Sequence, residues 1–139
     1  MTRLFTTLEW LLTQIEIDTS DIDEEKRKGI TSASLSIAIP FDLDVIEKTS
    51  RNGVLHAFLP TTTIVGLPFL INGDFVLVPS RDNINDGEWN KNLLKTVPRL
   101  FCAIMKVVCN YYFTDNEDLD KLASLWTVLD ITCEVISRF

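Results

Sequence analysis

The segment from Ser32 to Ile39 alternates strictly between apolar and small residues, and this pattern constrains the fold more than any other feature of the chain. A period of two is that of a β-strand, and one continuous apolar face requires a core on that side of the sheet. The residues predicted to be buried are Ala33, Leu35, Ile37 and Ile39. The serines between them are small enough for close packing of the second face. Pro40 is predicted to end the strand.

Three further segments have strand character and end at turn-forming residues. They are Leu8–Ile17, Val54–Leu59 and Phe69–Val78. Arg51-Asn52-Gly53 is a turn signal before the second of them, and Pro60 is predicted to stop it. Gly73 within the third predicts a bulge or a close backbone approach. The polar segment Asp18–Gly29 is predicted to be a loop with one helical turn at most, and its run Lys26-Arg27-Lys28 is expected to be solvated.

After residue 85 the apolar spacing changes to three and four residues, which predicts helices. Asp86 is expected to cap the first helix. Its apolar face comprises Trp89, Leu93, Val97, Leu100, Phe101, Ile104, Met105 and Val108. Pro98 lies inside this pattern and predicts a kink or a break, because it removes one backbone bond and clashes with the preceding turn. A loop over Thr114–Glu117 is predicted to precede the final helix.

The final helix has an apolar stripe that is unusually broad. The stripe comprises Leu119, Leu122, Trp126, Leu129, Cys133 and Ile136, widened by Leu125, Val128 and Ile131. Four strands followed by two helices predict an α+β fold, in which a mixed or antiparallel sheet of about four strands carries helices on one face. We expect residues 1–139 to form a single domain.

Charge and cysteine content exclude several classes of protein. The chain has 139 residues, a net charge of −7 and a predicted isoelectric point near 4.6, which argues against direct nucleic-acid binding. No apolar run approaches the roughly 18 residues that cross a bilayer, and the first residues lack a signal-peptide cleavage site. Cys102, Cys109 and Cys133 have no metal-ligand spacing and are expected to be buried thiols, so we expect a reducing, cytoplasmic compartment.

The sequence lacks the motifs of a self-sufficient enzyme. No nucleophile elbow, Walker loop, zinc-protease motif or dinucleotide-binding glycine motif occurs. His56 is the only histidine and falls within a predicted strand, where a structural role is more common than a catalytic one. The carboxylate pairs Asp42/Asp44 and Asp118/Asp120 fit a loop and a helix start. We therefore expect no enzyme activity from this chain alone, no metal and no cofactor of its own.

Arg81 is the strongest candidate for a functional residue. It follows the proline-terminated strand and is expected to lie where the sheet meets a helix, with its side-chain tip free. A guanidinium fork can bind phosphate or carboxylate oxygens through two hydrogen bonds and stays charged at ordinary pH. Asn85 would share its face if the segment were helical. The alternative is a structural ion pair with Asp82 or Asp86.

Several short motifs together resemble a segment of sacsin and sacsin-like proteins that covers residues about 55 to 101. They are Leu59-Pro60, Gly66-Leu67-Pro68, Asn72-Gly73-x-Phe75, Ser80-Arg81 and Glu88-Trp89-Asn90. In that family the segment follows a nucleotide-binding domain of the gyrase, heat-shock-chaperone, histidine-kinase and MutL superfamily. The resemblance implies the counterpart of the chaperone middle domain, an α/β module related to the second domain of ribosomal protein S5. It also implies a fragment of a larger multidomain protein.

The resemblance gives particular residues a role. Heat-shock chaperones of the ninety-kilodalton class carry Ser-Arg-Glu-x-Leu-Gln, and this chain has Ser80-Arg81-Asp82-Asn83-Ile84-Asn85. The match implies that Arg81 reaches the γ-phosphate of ATP held by the preceding domain, with Ser80 at the same site and Asn85 in the place of the glutamine. The chain lacks the superfamily's magnesium-binding asparagine and Asp-x-Gly-x-Gly loop. ATP and Mg²⁺ are therefore expected only in the parent protein.

Two other functions stay open at this point. A final helix that is apolar nearly all round must be buried, either internally or against a partner, so the chain could be a protein-interaction module that forms a homodimer or binds a client protein. The chain could also belong to an ATPase of a nucleic-acid or host-defence system that shares this module. The residues upstream of Met1 in the parent gene would discriminate between these functions.

Overall fold

The computed structural model describes residues 10–40, 53–67 and 69–114. These residues form a sheet, one short 3-10 turn and one long helix. In chain order the elements are β1 (Trp10–Asp18), the 3-10 turn (Glu25–Arg27), β2 (Ser32–Pro40), β3 (Val54–Ala57), β4 (Leu59–Ile64), β5 (Leu70–Gly73) and α1 (Glu88–Thr114). The α+β class is confirmed, and so is the single helical turn within the polar segment after β1.

The sheet is open and mixed, with five strands in the order β1-β2-β5-β3-β4. β2 pairs with β1 and with β5 in antiparallel fashion, and β3 pairs with β4 in the same way. β3 and β5 run parallel, with Leu55 opposite Ile71. The two edges of the sheet are therefore β1 and β4.

The alternation in β2 forms the centre of the core, as predicted. Ala33, Leu35, Ile37 and Ile39 are all buried, whereas the serines between them are half-exposed or exposed. The predicted apolar face of α1 packs against this side from Trp89 to Met105, and the helix contacts β1 and β2. Phe101 stacks on Phe69 with a ring separation of 5.3 Å. Each large side chain buried here contributes about 1.5–3 kcal/mol, which holds the helix on the sheet.

The prediction that Pro60 stops a strand was wrong. β3 ends at Ala57, the chain turns at Phe58, and a separate strand β4 contains Pro60. β4 is an edge strand, and an edge tolerates a residue that has no N–H to donate to a further strand. This additional strand makes the sheet one strand larger than predicted.

The last predicted strand, Phe69–Val78, is shorter than expected because β5 ends at Gly73. The expected close approach at Gly73 is confirmed. A Cβ added there would lie 3.0 Å from Leu35 Cδ1 and 3.2 Å from the Ser34 carbonyl oxygen. Glycine thus allows β5 to pack against β2 where the chain leaves the sheet.

Two expectations for the first helix also need correction. α1 continues through Pro98, so of the predicted kink or break, the break does not occur. Val97 and Leu100 on either side are buried, and their packing offsets the lost backbone bond, which costs about 3 kcal/mol. Gly87, and not Asp86, is the residue directly before the helix. Its carbonyl accepts the first helical hydrogen bond, from the Lys91 N–H at 3.1 Å.

The expectation of buried thiols was wrong for Cys102, which is exposed because it lies on the face of α1 turned away from the sheet. Cys133 and the predicted final helix lie outside the described residues, as do the carboxylate pairs Asp42/Asp44 and Asp118/Asp120. Within residues 10–40, 53–67 and 69–114, no helix combines the length and the apolar character needed to cross a membrane.

Candidate anion-binding groove

Arg81 lies at the tip of a small hairpin between β5 and α1. Leu77 and Ile84 form an antiparallel bridge at its base, and the Val78 N–H donates to the Asn83 carbonyl at 3.0 Å. The Arg81 N–H donates to the Val78 carbonyl at 2.9 Å, which closes a β-turn with Pro79 at its second position. The sequence placed Arg81 at the mouth of a helix, whereas the structure presents it on this turn. We call residues Leu77–Ile84 the Arg81 hairpin.

The backbone of Arg81 is left-handed, with φ of 62°. The fourth residue of such a turn in a hairpin commonly adopts this conformation, and glycine or asparagine usually occupies the position. A side chain with a Cβ costs about 1–2 kcal/mol there because Cβ approaches the following carbonyl oxygen. Residues held in a costly conformation cluster at functional sites. Nothing in the burial of Arg81 offsets this cost, since the residue is exposed.

A surface groove of about 440 Å³ runs beside the Arg81 hairpin. Lys26, Arg27 and Arg81 line it together with the stretch Phe75–Pro79, and no carboxylate is among the lining residues. The groove is thus positive in a chain whose net charge is −7. The net negative charge of the protein opposes non-specific binding of polyanions, whereas a local cluster of cations can still bind a small anionic ligand.

The 3-10 turn after β1 supplies the other two cations of the groove. The Lys26 ammonium group donates to the Leu77 carbonyl at 2.9 Å. The Arg27 guanidinium donates to the carbonyls of Asp74 and Phe75 at 3.1 and 3.3 Å, and it lies 5.7 Å from the ring centre of Trp89. This turn was expected to be solvated. Lys26 and Lys28 are indeed exposed, and the side chains of Lys26 and Arg27 also hold the turn against the groove.

The guanidinium of Arg81 has no ion pair within the described part of the chain, so neither carboxylate considered as its structural partner binds it. Asp82 accepts a hydrogen bond from the Ser80 hydroxyl. Asp86 lies 3.3 Å from Lys91 Nζ, and its hydrogen bond and charge raise the pKa of that lysine. Both carboxylates thus have other partners, and the cationic tip of Arg81 remains available to an external anion.

The structure places Ser80 and Asn85 differently from Arg81. Ser80 is exposed next to it on the turn, with its hydroxyl bound to Asp82. Asn85 does not follow Arg81 by one helical turn, because residues 79 to 87 contain no helix. The Asn85 side-chain oxygen accepts from Asn90 at 2.7 Å, and its N–H donates to the Val76 carbonyl at 2.9 Å. Asn85 therefore has a structural role at the base of the Arg81 hairpin.

Asn90 connects the hairpin to the helix, and sequence reasoning did not identify this role. Its side chain is buried and accepts from the Val76 N–H at 2.8 Å. Its amide donates to the carbonyls of Val76 and Asn85, each at 2.8 Å. The neighbouring Trp89 ring donates to the Asp74 carbonyl at 2.8 Å. The first turn of α1 thus fixes the chain that leads from β5 into the groove.

The remaining candidate residues lie elsewhere. His56 lies in β3, as predicted, with ring atom Nδ1 3.2 Å from the Val54 carbonyl oxygen. No group of three or more His, Cys, Asp or Glu side chains among the described residues could hold a metal ion. The groove therefore offers cationic hydrogen-bond donors, the groups suited to binding phosphate or carboxylate oxygens.

Comparison with known proteins gives one partial similarity. The chain is 40% identical over 87 residues to Protein NO VEIN of Arabidopsis thaliana. The match covers 58% of this chain and 3% of that protein, so the chain corresponds to a small part of its relative. No protein-family model and no solved structure matches the chain.

Proposed function

We propose that this chain is the middle, or transducer, module of a sacsin-like chaperone ATPase, in which Arg81 contacts the γ-phosphate of ATP held by a preceding domain. The observation that carries the proposal is the state of Arg81. It is exposed, its backbone is left-handed, and it has no ion pair among the described residues. An arginine held in this way at a cost in folding energy fits a binding role better than a structural one.

The groove supports the proposal through its charge. Lys26 and Arg27 line it together with Arg81, so that three cationic residues border one space. A transferred phosphoryl group carries negative charge on its oxygens, and fixed cations around it lower the energy of the transition state. Arg27 is held against the Asp74 and Phe75 carbonyls, so its charge needs no reorganisation when the anion arrives.

Two of the motifs that resemble sacsin-like proteins, Asn72-Gly73-x-Phe75 and Glu88-Trp89-Asn90, share a structural role that supports the same proposal. Trp89 and Asn90 bind the backbone of residues 74 and 76, and Gly73 permits the close packing just before them. These residues form the base on which the Arg81 hairpin stands. A motif that builds a platform for one exposed arginine fits a module whose task is to present that arginine to a neighbour.

The proposal has further parts that concern the parent protein. The preceding nucleotide-binding domain would bind ATP and Mg²⁺, and this chain would contribute Arg81, with Ser80 beside it. Coupling of nucleotide state to conformation would pass through the sheet, which we propose to be related to the second domain of ribosomal protein S5. The expected compartment is the cytoplasm, where ATP and reducing conditions are both present.

The proposal is tested in the full-length parent by measuring steady-state ATP hydrolysis of Arg81→Ala and Arg81→Lys. Alanine is expected to lower kcat by about 100-fold or more, as removal of a charge-stabilising donor does in other enzymes. Lysine restores charge without the planar fork and should restore activity only in part. The matched control is Arg99→Ala, because Arg99 is an exposed arginine on α1. Equal turnover in Arg81→Ala and Arg99→Ala would refute the proposal.

A protein-interaction module is the second candidate, favoured by exposed apolar residues. Phe58 and Leu59 at the β3–β4 turn are 79% and 75% exposed. Exposed apolar side chains that are adjacent mark contact surfaces more often than single ones do. Sedimentation of the chain at high concentration would test homodimer formation, and a monomer would exclude that form of the second candidate.

A further inference from the structure

The two edges of the sheet differ in how far their backbone is already bonded. β4 contains Pro60, which has no N–H to donate. The Thr62 N–H and hydroxyl both donate to the Asp82 carbonyl of the Arg81 hairpin, at 2.7 and 2.8 Å, so this edge is obstructed for a further strand. β1 at the other edge has nine residues without proline or glycine, and among the described residues it pairs with β2 alone.

The outer side of β1 carries the backbone groups of its even-numbered residues. β1 is antiparallel to β2, and the Thr19 N–H donates to the Thr31 carbonyl at 2.9 Å in the same register. Hydrogen-bonded and non-hydrogen-bonded pairs alternate along such a ladder, so the odd-numbered residues of β1 bond to β2. The N–H and carbonyl groups that point outward are those of Trp10, Leu12, Gln14 and Glu16. None of them has a hydrogen-bond partner within residues 10–40, 53–67 and 69–114.

An apolar row on the face of the sheet opposite α1 ends at this open edge. Leu12, Ala38 and Leu70 lie directly opposite one another on three adjacent strands. Leu12 is 67% exposed, whereas Ala38 and Leu70 are half-buried. Trp10 lies next to the row on the same face and is 41% exposed. The row on the other side of Leu12 is polar and comprises Gln14, Ser36 and Asn72.

We propose that a second copy of this chain occupies the open edge, with the two β1 strands antiparallel about a two-fold axis at Leu12. This inference goes beyond the proposed function and does not depend on the role of Arg81. Outward N–H and carbonyl groups of a strand are satisfied by another β-strand. Each Leu12 N–H donates to the Leu12 carbonyl of the second copy, and Trp10 lies opposite Gln14 of the second copy. Because the β4 edge is obstructed, the assembly closes at two copies.

The side chains of β1 favour a second copy in this register. The apolar row continues across the axis, because Leu12 meets Leu12 and both are followed by Ala38 and Leu70. Glu16 and Asp18 lie away from the axis, so the carboxylates of one copy are far from those of the other. An axis at Gln14 would place Leu12 opposite Glu16, and parallel pairing in register would place Glu16 beside Glu16, which is repulsive. β1 is therefore complementary to itself.

Analytical ultracentrifugation of the 139-residue chain tests the dimer. The wild type is expected to show a monomer–dimer equilibrium. Leu12→Lys places two ammonium groups at the axis and should weaken the dimer about 100-fold or more. Circular dichroism should show an unchanged fold, because Leu12 is exposed. The matched control is Ile64→Lys, since Ile64 is 69% exposed on β4 and should leave the dimer intact.

Two results of the ultracentrifugation would overturn the inference. One is a wild type that stays monomeric at high concentration. The other is a dimer that Leu12→Lys weakens no more than Ile64→Lys does. Such a dimer would form through another surface, for example the exposed Phe58 and Leu59 at the β3–β4 turn.

Disulfide crosslinking tests the register. In the proposed dimer the two Cα atoms at position 12 form a hydrogen-bonded pair about 5.5 Å apart, which a disulfide can span, so oxidised Leu12→Cys should link to itself. Glu16→Cys is the control on the same outer side, with its two copies roughly 26 Å apart. Mass spectrometry of the linked peptides distinguishes these links from links through the exposed Cys102. A link at position 16, or no link at position 12, would overturn the inference. Neither experiment uses nucleotide, so both are independent of the proposed ATPase role.

Discussion

The side chain of Asn90 binds both the N–H and the carbonyl of Val76, each at 2.8 Å, and so takes the place of a neighbouring strand. β5 has ended three residues earlier, at Gly73. Val76 is buried, and its N–H would otherwise be unpaired, whereas its carbonyl also accepts from the Asn85 N–H at 2.9 Å. One asparagine in the first turn of α1 thus allows the sheet to end and the Arg81 hairpin to begin.

The first prediction concerns Asn90. Asn90→Ala should lower the free energy of unfolding by about 1–3 kcal/mol, because it leaves the buried Val76 N–H unpaired. Chemical denaturation of the isolated chain measures this. Asn92→Ala is the control, since the Asn92 side chain has no hydrogen bond within the described part of the chain. Equal stability of the two variants would contradict the role given to Asn90.

The second prediction is that a substitution by glycine, which usually lowers stability, does not lower it at Arg81. Arg81→Gly should leave the free energy of unfolding unchanged or raise it by up to about 1 kcal/mol, because glycine adopts a left-handed φ without steric cost. The control is Arg99→Gly within α1, which should lower stability by about 1 kcal/mol. Thermal denaturation compares the two. Marked destabilisation by Arg81→Gly would mean that the arginine side chain stabilises the fold.

The third prediction concerns Gly53, which the sequence assigned to a turn. A Cβ there would lie 2.2 Å from the Leu67 carbonyl oxygen and 2.9 Å from that of Phe69, and both atoms are backbone. Gly53→Ala should therefore cost about 3 kcal/mol or more. Gly73→Ala should cost less, since its nearest neighbour, 3.0 Å away, is the movable end of a leucine side chain. Urea denaturation of both variants checks the order, and the reverse order would contradict the packing described.

The fourth prediction tests whether the positive charge of the groove contributes to ATP hydrolysis, with the hydrogen bonds that build the groove kept in place. Lys26→Gln keeps a donor for the Leu77 carbonyl but removes the positive charge. ATP hydrolysis by the parent should fall about three- to tenfold, as expected for a partly solvated charge. Lys28→Gln is the matched control, because Lys28 is exposed and does not line the groove. The same loss in both variants would indicate a general effect of net charge.

Local patterns predicted the parts of the fold that depend on local chemistry. The alternation in β2 and the helical spacing in α1 predict which residues are buried, and the structure buries these residues in β2 and, in α1, those from Trp89 to Met105. The predictions at Pro60 and Pro98 depended on tertiary structure. The free-energy cost of a proline is lower at the edge of a sheet or in a helix that is held by packing, and the local sequence shows neither. The local sequence does not show that β4 lies at the edge of the sheet, and this additional strand was therefore not predicted.

The candidate site was predicted in part. Its location between β5 and α1 followed from the sequence, and the role of Arg81 there remains a prediction. Lys26 was missed because the carbonyl it binds is 51 residues away, and no local pattern reports such a contact. The left-handed backbone of Arg81 was missed because the turn carries arginine where glycine or asparagine would have signalled that conformation. Asn85 was expected to share a face with Arg81 only if the segment were helical, and this condition is not met because residues 79 to 87 contain no helix.

The central claim is that Arg81 senses the γ-phosphate, and nucleotide binding to the full-length parent tests it most directly. Calorimetry would measure Kd for ADP and for a non-hydrolysable ATP analogue, in the wild type and in Arg81→Ala. The account predicts that the variant binds the ATP analogue about 10- to 100-fold more weakly, the value of a charged hydrogen bond, with ADP affinity unchanged. The same ratio of the two affinities in both proteins would contradict it.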